Sequence, residues 1–186
     1  MDFGVRPRDK TPKSPRPKKA RKSKSKIKSI LICFFDSQGI VHKESVPPGQ
    51  TVNQTFYREV LERLRERVAR VRPGIARTWM LNHDNAPRQM AVSINAFLAE
   101  KSIPVVPQPP YSPDLSPCDF ILFPRLKNHL KGCHCGTLDN IQNSLTDELK
   151  GILVEAFQHC YELWKQRLRR CVAAQWNYFE GDKLDL

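Results

Sequence analysis

Two aspartates stand in unusual local sequence. Asp84 lies in His83-Asp84-Asn85-Ala86-Pro87, and Asp119 ends the proline-rich stretch Pro109-Pro110-Tyr111-Ser112-Pro113-Asp114-Leu115-Ser116-Pro117-Cys118-Asp119, with 34 residues between the two. Carboxylates are hard oxygen ligands, and magnesium is ordinarily held by one or two of them together with substrate phosphate. In two-metal phosphoryl chemistry, ions roughly 3.5–4 Å apart stabilise the attacking and leaving oxygens. A plainer reading stands beside this one: Asp is common at turns and helix N-caps, where it accepts backbone N–H bonds. On spacing alone the cap reading is the favoured one.

The elements around the pair can be read from pattern. Arg77–Asn82 is a short, largely apolar run containing a Trp, the composition of a strand buried on both faces. Asp84 then falls past the carboxyl end of that strand, where ligands bind in open α/β sheets. Pro87 suits a first helical turn, and the segment to Lys101 puts Met90, Ile94, Phe97 and Leu98 on one helical face. Ile103–Val106 reads as a second strand. The prolines that follow can neither continue a helix nor join a sheet interior, so they fix how Asp119 enters a helix running to about His129.

The two motifs, with their 34-residue interval, resemble the catalytic domain of mariner-family DNA transposases. The similarity extends to Ser14-Pro15-Arg16-Pro17-Lys18-Lys19-Ala20-Arg21, to Val46 through Asn53, to Leu122 through Lys127, and to Arg170 through Asp182, so it covers nearly the whole chain from about Ser14. The resemblance implies an α/β, ribonuclease H-like fold, a mixed sheet flanked by helices. It implies DNA transposition and integration through Mg²⁺ or Mn²⁺ held by three aspartates. Asp84 and Asp119 match the last two of these as metal and catalytic ligands, with water and then a DNA 3′-hydroxyl as nucleophiles.

Other features of that family have no counterpart. Its first aspartate lies on a central strand preceding the basic segment, and no matching Gly-Asp-Glu motif or apolar strand occurs upstream of Ser29 here. Nor does a helix-turn-helix region of the kind that reads transposon ends. Where relatives often carry His two residues past the proline of the first motif, this chain has Gln89. The expectation is a sheet lacking its first central strand, an enzyme impaired by itself, and either poor folding or association with another chain. Asp36 should end a strand at the far edge from Asp84 and is rejected as a replacement ligand; Asp2 and Asp9 lie on the basic arm.

Charge divides the chain at residue 28. Residues 1–28 carry twelve Lys and Arg against two Asp, a net +10 of the total +12, leaving a near-neutral 29–186 as the catalytic domain. A Pro/Lys/Ser-rich block of this kind binds polyanions, and Arg16, Lys18, Lys19, Arg21, Lys22, Lys24 and Lys26 are its candidate DNA contacts. Pro17–Lys22 also resembles a nuclear localisation signal. A non-enzymatic nucleic-acid-binding protein acting through this arm is therefore the alternative function, with dimerisation, either with itself or with a full-length relative, as a variant. A solvated basic tail is the plainer reading.

At 186 residues and 40% hydrophobic the chain can build an ordinary core, and no apolar run approaches the 18 or so residues of a membrane span. The six cysteines lack a framework spacing and read as reduced thiols, Cys33 and Cys171 as core. His129, Cys133, His134 and Cys135 do not match a usual zinc spacing and read as a loop with incidental thiols. In chain order, Ser29–Phe35 and Ile40–Val46 form a hairpin, and Thr51 with Gln54 suggests a capping box. The helix that follows buries Tyr57, Val60, Leu61, Leu64 and Val68, with Glu59–Arg63 and Glu66–Arg70 pairs on its outer face. Two more helices, Leu138–Lys150 and Val154–Arg170, close the chain. Leu153, Phe157, Tyr161, Trp164 and Leu168 are spaced to pack on the sheet as core, not as a base-stacking platform.

Overall fold

The computed structural model describes residues 29–87, 89–131 and 137–174. The basic segment 1–28, with its candidate DNA contacts, Asp2 and Asp9, lies outside them, as do Cys133, His134 and Cys135.

Strands β1 (Ile30–Asp36) and β2 (Gly39–Val46) form the expected antiparallel hairpin, with a register irregularity between Phe34 and Phe35. Gly39 closes the turn at φ +125°, a conformation that side chains with a Cβ rarely adopt. β3 (Leu81–Asn82) and β4 (Val105–Val106) pair in parallel, as a strand–helix–strand unit requires. Among the described residues the hairpin and the parallel pair remain separate two-stranded sheets. The fold is α/β, with helices covering both faces.

On one face lies α1 (Gln54–Val71), which buries the five predicted residues, none more than 4% exposed. Tyr57, Leu61, Leu64 and Val68 join Val41 of β2, Leu81 of β3, and Ile94, Phe97 and Leu98 of α2 (Val92–Glu100) in one cluster. On the other face Cys33 of β1 packs with Leu122, with Leu126 of α3 (Phe123–Leu130), and with Leu145 and Leu149 of α4 (Leu138–Lys150). α5 (Val154–Ala173) covers the end of the hairpin, where Phe157 meets the Phe35 ring at 5.4 Å between centroids.

Polar side chains tie these layers together. Arg63 of α1 donates to both carboxylate oxygens of Glu44 on β2 at 2.6 and 2.9 Å, drawing the Glu44 carboxyl below its usual range despite the opposing effect of burial. Lys43 of β2 donates to Thr146 of α4 at 2.7 Å, and Arg125 of α3 pairs with Glu148 of α4 at 2.6 Å.

Several boundaries differ from the pattern-based reading. The cap of α1 is Asn53, whose side chain accepts from the N–H of Phe56, so Thr51 and Gln54 make no capping box. Glu59 does pair with Arg63 at 3.7 Å, whereas Glu66 and Arg70 form no ion pair. The strand predicted over Arg77–Asn82 shrinks to its last two residues, because Thr78 and Trp79 bond back to Ile75 in a turn. Met80 is consequently exposed. α2 starts five residues after Pro87, since Gln89 and Met90 close a turn onto the Ala86 carbonyl; Ile94, Phe97 and Leu98 are buried as expected, and Met90 is not. α5 leaves Leu153, its N-cap, and Tyr161 exposed, so only part of the predicted stripe is core. Cys33, Cys118, Cys160 and Cys171 are free thiols, Cys33 buried and Cys171 half-buried.

Leu61 sits at the centre of the first cluster with no exposed surface. Leu61→Ala should lower the unfolding free energy by about 2–5 kcal/mol in urea denaturation; a loss below about 1 kcal/mol would mean that α1 does not anchor the sheet.

Candidate active site

Asp84 lies two residues past the end of β3. One of its carboxylate oxygens accepts the N–H of Ala86 at 3.0 Å, so the turn role foreseen for Asp84 is present. The carboxylate is exposed, and its second oxygen has no hydrogen-bond partner among the described residues. The next residue, Asn85, donates from its amide to the Gln108 carbonyl at 2.7 Å, which joins the loop after β3 to the loop after β4 at the carboxyl ends of the parallel pair.

From Gln108 the wiring continues toward Asp119. The Gln108 amide donates to the Ser112 carbonyl at 3.1 Å, and the same carbonyl receives the N–H of Leu115, which closes a single 3₁₀ turn over Pro113–Leu115. Helix α5 clamps this turn from outside. The Trp164 indole donates to the Leu115 carbonyl at 2.8 Å, and Arg167 donates to the Asp114 carbonyl at 2.8 Å while its guanidinium lies 4.1 Å from the centre of the Phe120 ring. Trp164 thus carries a polar tip that periodicity alone did not reveal. Tyr111, at the outer end of the loop, takes φ 55° and is 97% exposed. For a non-glycine residue that backbone costs on the order of 1–3 kcal/mol.

Asp119 does not begin an ordinary α-helix. Cys118–Leu122 is a π-turn in which the N–H of Phe123 reaches the Cys118 carbonyl, and α3 follows with Pro124 in its first turn. Pro124 has no N–H for the Phe120 carbonyl and its ring crowds that group, so the chain widens by one residue before α3. Asp119 donates its own N–H to the Ser116 carbonyl at 2.9 Å, its side chain makes no capping bond, and the carboxylate is exposed.

Burial pushes the thiol of Cys118, the residue before Asp119, up to about 12, and Cys33, Asp119, Cys160 and Asp84 add to the rise. Asp36 is occupied elsewhere: Arg72 donates to both its oxygens at 2.7 and 3.2 Å, which accounts for Asp36 structurally. Among the described residues no three His, Cys, Asp or Glu side chains gather into a metal site. His129 contacts Ser144 and Glu148, and its expected neighbours 133–135 lie outside the described residues.

His83 has no role of its own in the sequence pattern beyond opening the first motif, yet it is built into the core. It is 9% exposed, its Nδ1 lies 3.0 Å from the Tyr57 hydroxyl of α1, and the two rings stack 6.0 Å apart. Its Nε2 is buried with no hydrogen-bond partner among the described residues, as are Oε1 of Gln89 and of Gln108. Burial drives the His83 pKa below its usual 6.5, outweighing the opposite pull of Asp84. The ring is neutral at pH 7 and serves as a positioning group behind the Asp84 turn. Tyr57, in phase on α1, was legible as core; its hydroxyl partner was not.

Comparison with known proteins gives a consistent result. Residues 6–78 match the family described as "Transposase (partial DDE domain)". The chain is 27% identical over 172 residues to the Mariner Mos1 transposase of Drosophila mauritiana, an alignment covering 91% of this chain and 50% of the relative. The chain therefore spans about half the length of that curated relative. Among solved structures, the Mos1 transposase catalytic domain with raltegravir and Mg is similar at a TM-score of 0.76 and 28% identity, over 82% of this chain and 77% of that one. The Mos1 mariner paired-end complex with Mn is similar at 0.81 and 28%, over 95% of this chain and 52% of that one.

Because the folded His83 binds its proton less readily than the unfolded chain, stability should be intact above about pH 6.5 and decline as pH falls from there toward the depressed folded pKa. Urea midpoints from pH 7.5 to 5.5 should fall less steeply in His83→Asn than in the unsubstituted protein; equal slopes would remove His83 as the responsible group.

Proposed function

This chain is a mariner-family transposase catalytic domain homologous to Mos1, and on that premise we propose that its chemistry is metal-dependent cleavage and transfer of DNA strands, impaired in this chain by itself. The observation that supports the reading is the wiring between the two aspartates: exposed Asp84 follows β3, its neighbour Asn85 is bonded to Gln108 beyond β4, and Gln108 is bonded to Ser112 at the start of the turn that leads to exposed Asp119. We read the hairpin and the parallel pair as two flanks of a ribonuclease H-like sheet whose first central strand, with its aspartate, is not among the described residues. Residues 1–28 would form the basic arm and 29–186 the catalytic domain.

The residues present fit one hard cation better than two. Asp84, with one oxygen engaged by Ala86, and the exposed Asp119 offer oxygen ligands of the kind Mg²⁺ or Mn²⁺ shares with a substrate phosphate, but they do not make an all-protein cage. When bound, such an ion supplies Lewis acidity at the phosphate and lowers the pKa of coordinated water. The chain's own part is to hold the carboxylates. Tyr57 and His83 back the Asp84 turn, while Trp164 and Arg167 fix the loop that delivers Asp119. His83, held neutral by burial and tied to Tyr57 through Nδ1, packs behind the Asp84 turn.

Manganese calorimetry tests the pair. Weak binding should be reduced at least tenfold by Asp84→Ala and by Asp119→Ala, whereas binding untouched by both would end the two-carboxylate reading. On supercoiled plasmid the chain alone should nick no faster than the Asp84→Ala variant. Robust Mn²⁺-dependent cleavage that this substitution removes would overturn the impairment.

A second reading rests on the +10 arm: the chain binds DNA without cleaving it, located in the nucleus and paired with itself or with a full-length relative. Affinity from Arg16, Lys18, Lys19, Arg21, Lys22, Lys24 and Lys26 would come largely from counterion release. Changing these seven to Gln should flatten the log affinity against log salt by about 0.9 for each phosphate no longer neutralised. An unchanged slope would move DNA binding to the catalytic domain.

A further inference from the structure

The cleft of about 360 Å³ between the two sheets, lined in part by Asn82 and Cys118, borders the stretches that carry the carboxylates. A second hollow, of about 290 Å³, lies elsewhere. It runs along β2 from Ile40 to Lys43, with Arg67 of α1 on one side and Leu149 and Lys150 of α4 on the other, and no residue of the Asp84 or Asp119 loops lines it.

The backbone brings cations together here. Phe34 pairs with His42 and Phe35 with Ile40, so Val41 is the extra residue of a β-bulge and has no residue opposite it. Its carbonyl accepts Nε of Arg67 at 3.4 Å, which leaves the terminal nitrogens of that guanidinium without a partner among the described residues. Lys43, two residues along β2, reaches the other helix and donates to Thr146 at 2.7 Å. An ammonium has three donors, so two remain. Lys150 ends α4 one turn beyond Thr146 and makes no ion pair among the described residues. Little negative charge offsets these groups. Glu44 is already engaged by Arg63 at 2.6 Å and by Nε2 of His42 at 2.7 Å. Asp147 of α4 attracts Lys43 but forms no ion pair with it among the described residues. Burial lowers the Lys43 pKa and the charge of Lys150 lowers it further, against the opposite pull of Cys33 and Asp147.

We propose that this hollow is a binding site for a dianionic phosphate, free or as a monoester, held by Arg67, Lys43 and Lys150. Charge and shape choose the ligand. Three cations less Asp147 leave a net +2 to be met. A phosphate monoester carries about −1.5 to −2 near pH 7, whereas a carboxylate carries a single charge. A guanidinium fork grips two phosphate oxygens in its plane, and ammonium groups reach the others as point charges. At this volume, the small end of ligand sites, the hollow admits a phosphate with only the first atoms of whatever carries it. The inference is independent of the two carboxylates and of strand cleavage.

The test titrates the full chain with potassium phosphate at pH 8, by calorimetry and by amide NMR, with chloride holding the ionic strength constant. Binding should be saturable and should shift the amides of Lys43, Thr146 and Lys150. Arg67→Gln combined with Lys150→Gln, both at exposed positions, should weaken phosphate binding roughly tenfold or more while leaving the urea midpoint in chloride unchanged. Absence of saturable binding, shifts confined to other amides, or equal affinity in the double variant would each overturn the proposal. A short duplex carrying a 5′-phosphate, and the same duplex ending in a 5′-hydroxyl, then identify the source. Loss of affinity for the first alone in the double variant assigns the site to a DNA end; loss for neither, with free phosphate binding abolished, assigns it to a small free phosphate. Equal loss for both duplexes would overturn the dianion, because only internal diesters are common to them.

Discussion

The segment from Pro109 to Pro117 contains four prolines among nine residues, so nearly half of its backbone has no N–H to give. Such a segment cannot hold itself in place through regular pairing. Its position depends on bonds from outside, and three supply it: Gln108 from the end of β4, and Trp164 and Arg167 from α5. Prolines remove much of the entropy that the segment would lose on folding, while the indole and guanidinium choose which of its remaining conformations persists. Without that clamp, Asp119 would begin a helix whose direction nothing specified.

The same economy appears at Asp84. Its loop is short and polar, and it gains rigidity by joining Asn85 to Gln108 and by resting on His83, which is itself held by Tyr57 of α1. Each carboxylate is thus positioned by a helix far away in sequence, α1 for Asp84 and α5 for Asp119. The two helices lie on opposite sides of the cleft between the sheets. Site geometry is consequently a property of the whole layered domain.

What could be read in advance follows from which physical signals are local. Eighteen residues of α1 repeat the 3.6-residue period several times, and all five predicted core positions are buried. The hairpin was legible because a turn separates two apolar runs, as was the placement of Asp84 beyond a strand end. Arg77–Met80 failed because composition reports burial and not pairing, and a turn onto Ile75 took those residues first. Thr51 lost to Asn53 because several polar residues competed within one turn, and only the three-dimensional path decided which side chain reached an N–H. The π-turn had a visible cause in Pro124, although the pattern suggested only a helix. The Trp164 and Arg167 contacts span 49 and 53 residues, and helical periodicity cannot say what the polar end of a half-buried side chain will meet.

The cleft and the carboxylates are joined through short stretches of backbone. Asn82 lines the cleft and lies two residues from Asp84; Cys118 lines it and is bonded directly to Asp119. Holding a cation would fix the Asp84 turn and the start of the π-turn, and through Asn82 and Cys118 that ordering would reach the wall of the cleft. The conformational entropy lost along those stretches is part of the cost of binding, so two exposed carboxylates on short loops should hold an ion weakly until something else orders the same backbone.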